Sequence, residues 1–200
     1  ALQMEKAGIT VNEKCRMCSV CVKSCPQRAI RFEQVAKSFD KDKWKGILVY
    51  AEQENGAVHP VAYELIGEAR KLAAKVGYDV NCVMVGGAGT KENAEKLLPY
   101  GVKEVFVYEH PGFEGFKADC YSDAVADCIS ATKPSCVLIG ATACGRSLAP
   151  RLSTRFHTGL TADCTALEIG DHTDAKTQTQ YDNLLYQIRP AFGGNIVATI

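Results

Sequence analysis

Ile47-Leu-Val-Tyr50 is an unbroken apolar run of strand length, and Asn81-Cys-Val-Met-Val85, Glu104-Val-Phe-Val-Tyr108 and Ser135-Cys-Val-Leu-Ile139 repeat it further along the chain. Helical patterns fill the intervals. In Val61 to Lys75 the residues Leu65, Ile66, Ala69, Leu72 and Ala73 fall on one stripe, and Gly77 supplies the stop. Lys91 to Leu98, Tyr121 to Thr132 and Ser147 to Phe156 read as further helices. Strands alternating with helices specify an α/β domain with a parallel sheet covered on its faces. The tail differs: Ala162 to Ile169, Leu184 to Ile188 and Ile196 to Ile200 read as strands with no helix between them. An antiparallel extension at the sheet edge is the expectation there.

Ligands of such sheets bind beyond the carboxyl ends of the strands, where the strand order reverses. Gly86-Gly-Ala-Gly-Thr90 follows the second strand, and its backbone suits either a close approach to a phosphate or flavin or a plain tight turn. Gly140-Ala-Thr-Ala-Cys-Gly-Arg-Ser147 has P-loop spacing with Arg146 in the lysine position. A nucleoside triphosphatase is rejected, because arginine replaces the compact ammonium poorly and no metal-holding acid follows downstream.

Ahead of this domain stands Cys15-Arg-Met-Cys18-Ser-Val-Cys21-Val-Lys-Ser-Cys25-Pro26. Soft thiolates at two-residue gaps, closed by a proline, are how bacterial-type ferredoxins hold a [4Fe-4S] cluster. Zinc sites usually draw on two separated Cys-x-x-Cys knuckles, and disulfides are disfavoured in a chain with no signal-peptide pattern and no small-scaffold composition. Cys15, Cys18, Cys21 and Cys25 are therefore the candidate metal ligands. Ala29-Ile-Arg-Phe-Glu33 echoes Ala1-Leu-Gln-Met-Glu5, as if the module were half of a two-cluster repeat. Cys25 would then serve a neighbouring cluster, and the polypeptide would continue upstream. One cluster held by all four cysteines is the alternative.

Twenty-three basic residues balance twenty-three acidic ones. No excess field draws nucleic acid or an anionic membrane, and no apolar run reaches the twenty or so residues of a membrane span. A cytoplasmic location is expected. The charged stretch Ser38 to Lys45 marks the joint between a module over 1–44 and a domain over 45–200. His59, His110, His157 and His172 are scattered and suggest no catalytic pair. A nucleophile elbow is missing as well, so a self-contained hydrolase is disfavoured.

Gly140 to Arg151, then Thr158-Gly-Leu-Thr-Ala-Asp-Cys-Thr165, then Arg189-Pro-Ala-Phe-Gly-Gly-Asn195 resemble, in this order, three signatures of the electron transfer flavoprotein alpha subunit. The resemblance covers 45–200, that subunit's first domain, whose fold is Rossmann-like, of the adenine nucleotide alpha-hydrolase type. Residues 1–44 resemble the ferredoxin extension of members that bifurcate electrons alongside caffeyl-CoA reductase or lactate dehydrogenase. The resemblance implies an electron-transfer subunit rather than a self-contained enzyme, working among NADH, FAD, iron-sulfur clusters and ferredoxin. It implies as partners a beta subunit that carries one FAD and an acyl-CoA or hydroxy-acid dehydrogenase or reductase. The other FAD would lie on a second alpha domain, which should follow Ile200.

By the same resemblance Arg146 points its guanidinium at the beta-subunit flavin; the plain alternative is a helix-terminal arginine paired with a surface carboxylate. Thr161 and Asp163 lie at the entry to a strand near the same site, where they either hydrogen-bond the flavin or the beta subunit or cap a local turn. Arg151 reads as structural. Two rival readings are a ferredoxin-fused module that binds nucleotide for regulation and a scaffold with no cofactor of its own in the second domain.

Overall fold

The computed structural model describes residues 2–5, 8–11, 20–30, 40–174, 178–191 and 196–200. The chain divides into two compact units, Ala1–Phe39 and Asp40–Ile200. In the first, β1 (Leu2–Glu5) pairs antiparallel with β2 (Gly8–Val11), and α1 (Val20–Ser24) carries Cys21. Cys15, Cys18 and the segment Arg31-Phe-Glu33 lie outside the described residues.

The second unit is built on a parallel sheet of β3 (Ile47–Tyr50), β6 (Val80–Gly86), β7 (Glu104–Glu109) and β8 (Cys136–Leu138), in the order β7-β6-β3-β8. A short hairpin, β4 (Gln53–Glu54) with β5 (Ala57–Val58), leads from β3 into α2 (Pro60–Val76). Helices α3 (Thr90–Glu95), α4 (Ala118–Thr132) and α5 (Ala143–Phe156) complete the layers.

Strand alternation sorts the core into two halves. Ile47, Val49, Cys82 and Met84 face α2 and α3, where they meet Ile66, Ala69, Leu72 and Ala94. Leu48, Tyr50, Val83 and Val85 face α4 and α5, against Val125, Ile129, Leu148 and Leu152. All four β3 residues are buried, which is why the strand reads as an unbroken apolar run. His59 caps α2, its Nδ1 accepting the Val61 N–H at 3.2 Å, and Gly77 closes that helix in the left-handed conformation.

The tail departs from expectation. β9 (Ala166–Thr173), β10 (Gln180–Ala191) and β11 (Ile196–Thr199) form an antiparallel sheet of their own, in the order β11-β10-β9, instead of extending the parallel sheet. Their apolar side chains decide the matter: Leu167, Ile169 and Leu185 pack onto the α2 side of the core as a separate layer. Helix α5 also starts at Ala143, four residues earlier than its periodicity predicts.

Candidate functional site

From β3 the chain adds β6 and β7 on one side, and β8 then lies on the other, so strand order reverses between β3 and β8. The carboxyl ends of these two strands define the crevice where ligands of open parallel sheets bind. Glu52 lies just past β3 on one side of it, and the start of α5 on the other.

Thr142 begins α5. Its hydroxyl oxygen accepts the Gly145 N–H at 3.0 Å, and its carbonyl accepts the Arg146 N–H at 2.9 Å. Gly145 is obligatory here, since a Cβ on it would sit 1.9 Å from the Gly140 carbonyl oxygen. The tight start throws Arg146 from the first helical turn to the rim of the crevice. Its Nε donates to the Ala141 carbonyl at 3.2 Å, while Nη2 and Nη1 reach Asp163 Oδ1 and Oδ2, the second at 3.4 Å. The side chains of Arg146 and Asp163 keep 54% and 47% of their exposure, so the pair stands at the surface with N–H groups left to offer.

The structure therefore brings two of the three expected flavin-site residues together. Thr161 lies two positions before Asp163, and its carbonyl accepts from the Cys164 thiol at 3.6 Å. Arg151 bonds within the chain: its Nη1 donates to the Ser147 carbonyl at 2.7 Å and its Nε lies 3.5 Å from Asp119 Oδ1.

The Gly86–Thr90 loop holds the chain's own side chains. Gln53 Nε2 donates to Thr90 Oγ1 at 3.0 Å, and a Cβ on Gly86 would lie 2.4 Å from that nitrogen. Asn93, itself buried, donates to Gln53 Oε1 at 2.8 Å and to the Gly56 carbonyl at 3.0 Å. Of the two readings open for this loop, the internally bonded turn is the one adopted.

A neighbouring group escaped sequence reading. Glu52 is only 6% exposed and accepts from Thr142 Oγ1 at 2.5 Å. Around it stand the Cys144 thiol and the Tyr50 hydroxyl. Burial, with the Glu52 charge next in weight, pushes both above their ordinary ranges. The nearest signal in the sequence was Thr142 itself, a good helix cap ahead of the predicted start.

In the smaller unit the Cys25 sulfur accepts the Ala29 N–H at 3.3 Å. That bond, together with further amides of residues 27–30, holds the thiol below its usual range. Amide donors aimed at sulfur suit a metal-bound thiolate. Among the described residues no three His, Cys, Asp or Glu side chains gather as a metal site, and Cys15 and Cys18 lie outside them.

The family model for the electron transfer flavoprotein domain matches residues 47–200. The chain belongs to this family. Subunit LctC of the lactate dehydrogenase (NAD(+),ferredoxin) of Acetobacterium woodii is 44% identical over 201 residues, which cover 100% of this chain and 46% of that protein. The electron transfer flavoprotein alpha subunit of Thermoanaerobacterium thermosaccharolyticum is 43% identical, covering 78% of the chain and 44% of its own length. The acryloyl-CoA reductase electron transfer subunit beta of Anaerotignum propionicum is 38% identical, covering 82% and 48%. The chain is thus of the electron transfer flavoprotein alpha type and spans about half the length of these relatives. Among the described residues no helix is long and apolar enough to cross a membrane.

Proposed function

We propose that the chain is part of an alpha subunit in a flavin-based electron-bifurcating complex, where it passes electrons among NADH, FAD, iron-sulfur clusters and ferredoxin. The carrying observation is the placement of Arg146 on the first turn of α5, at the reversal of strand order, with its guanidinium aimed by Asp163. When bound on the beta subunit, the flavin supplies the one- and two-electron chemistry. The chain's own part is to cover that ring and to present directed N–H donors to it. Arg146 fits this task. Paired with Asp163 it is an oriented dipole rather than a free cation, so its influence on the ring depends on how it is held.

In the module over 1–44, Cys15, Cys18, Cys21 and Cys25 would hold the [4Fe-4S] cluster, and the hydrogen bond from the Ala29 N–H to the Cys25 sulfur supports a thiolate ligand there. A second cluster would require cysteines from elsewhere. Partners on this reading are the beta subunit, an acyl-CoA or hydroxy-acid dehydrogenase or reductase, and soluble ferredoxin in the cytoplasm. The relatives from lactate dehydrogenase and acryloyl-CoA reductase systems support that partner class.

The rival nucleotide-binding reading is weakened by the chain's own side chains. Gln53 fills the glycine loop, and the Glu52 carboxylate already lies beside the start of α5, where it would repel a phosphate. The test is co-purification of the full-length alpha polypeptide with its beta partner, followed by NADH-driven ferredoxin reduction. Flavin and iron-sulfur absorbance with activity is expected, and Arg146→Ala should lower the rate about a hundredfold or more, the loss typical of one preorganised donor. An unchanged rate in that variant overturns the role of Arg146, and purification without flavin overturns the function.

A further inference from the structure

Glu52 is a buried acid that the proposed chemistry leaves unused. A carboxylate withdrawn from water is costly unless it is compensated, and among the described residues no Lys, Arg or His forms an ion pair with it. Its compensation comes from the Thr142 hydroxyl at 2.5 Å, the Cys144 thiol and the amino end of α5, whose dipole favours a negative charge. That arrangement has a directional result. The Thr142 hydroxyl has one proton; giving it to Glu52 turns a lone pair toward the Gly145 N–H, and the same residue's carbonyl takes the Arg146 N–H.

We propose that Glu52 is a positioning residue for Arg146, acting through Thr142: it sets the first turn of α5 from inside the protein while Asp163 holds the guanidinium from outside. The inference rests on the reading of Arg146 as the flavin-facing donor. Two acids at opposite ends, one buried and one half-exposed, leave the arginine little freedom. A plain capping role would need only the threonine. The carboxylate behind it adds control over which way the hydroxyl points.

Two readouts separate the possibilities. The first is hydrogen exchange at the Arg146 Nε–H, which donates to the Ala141 carbonyl, followed by NMR in the full chain without flavin. The second is the one-electron reduction potential of the flavin in the complex with the beta subunit. Glu52→Gln and Thr142→Ala should each retain the fold by circular dichroism and speed exchange at that N–H by about fivefold or more, as expected for a loosened first turn. Each should also move the flavin potential in the direction seen for Arg146→Ala, and Glu52→Gln combined with Arg146→Ala should shift it no further than Arg146→Ala alone. Exchange and potential unchanged in folded Glu52→Gln and Thr142→Ala proteins would overturn the proposal. If Arg146→Ala itself leaves the potential unmoved, the flavin-facing reading falls, and the exchange measurement still decides whether Glu52 positions the arginine.

Discussion

Asp163 faces Arg146 with both carboxylate oxygens across 17 positions of sequence, and it does so from a left-handed backbone with φ 60°. Asp is among the few residues that accept this conformation readily. The turn between α5 and β9 thus aims an acid back at the helix it has just left.

Replacing Asp163 by Asn is expected to separate stability from function. Half-exposed ion pairs contribute little, roughly 0–1 kcal/mol, so thermal unfolding should shift by less than about 4 °C. Electron transfer through the flavin should nevertheless change, because the guanidinium loses its aim. Scanning calorimetry and ferredoxin reduction on the same preparation check both halves; a large drop in melting temperature would show the pair to be mainly structural.

Gln53→Ala should unfasten the Gly86–Thr90 loop. Thr90 and the buried Asn93 each lose a partner, although Asn93 keeps the Gly56 carbonyl. The expected cost is about 1–3 kcal/mol. Urea denaturation would measure it, and faster amide exchange confined to residues 86–93 would locate it.

Gly145→Ala should be among the harshest single changes at the site. The added methyl meets backbone, the Gly140 carbonyl, so no rotamer change relieves it. A loss of about 3 kcal/mol or more, or failure to accumulate as folded protein, is expected. Gly67→Ala serves as the control, for a Cβ there meets nothing within 4 Å. Comparable stability of the two variants would show that the start of α5 is looser than described.

The buried thiols predict a loss of stability in alkali. Burial pushes Cys82 and Cys136 up to about 12 and Cys128 up to about 11, against 9.0 for the free group. Below pH 9 both folded and unfolded chains keep these thiols protonated, and the stabilisation is fully present. Above pH 9 only the unfolded chain releases the protons, so stability falls as pH rises toward 11 or 12. Denaturant midpoints from pH 8 to 11 should decline, and Cys82→Ser should flatten the decline. Exposed Cys120 should react with a thiol reagent in the native protein while Cys82 waits for unfolding.

The parallel sheet and its four helices were legible from the chain because burial on both faces leaves a local trace, such as Ile47 to Tyr50. The early start of α5 was missed because Thr142 and Gly145 act through hydrogen bonds, which leave no periodic pattern. The separate tail sheet was missed for a related reason. Its strands could be read, but whether they add to an existing edge or stack as a new layer depends on where Leu167 and Leu185 find apolar partners.

The sequence by itself determined the α/β class and singled out Arg146 and Asp163 by their motifs. Only the tertiary structure decided that these two residues face each other and that the consecutive pair Glu52 and Gln53 divides between the two loops. Period-two alternation, carried past the end of β3, sends Glu52 toward α5 with Leu48 and Tyr50, and Gln53 toward α3 with Val49. Apolar periodicity is a local property, written in neighbouring residues. The partners of a buried acid or an amide are brought by chain folding from 40 to 90 positions away, and no neighbour in sequence announces them.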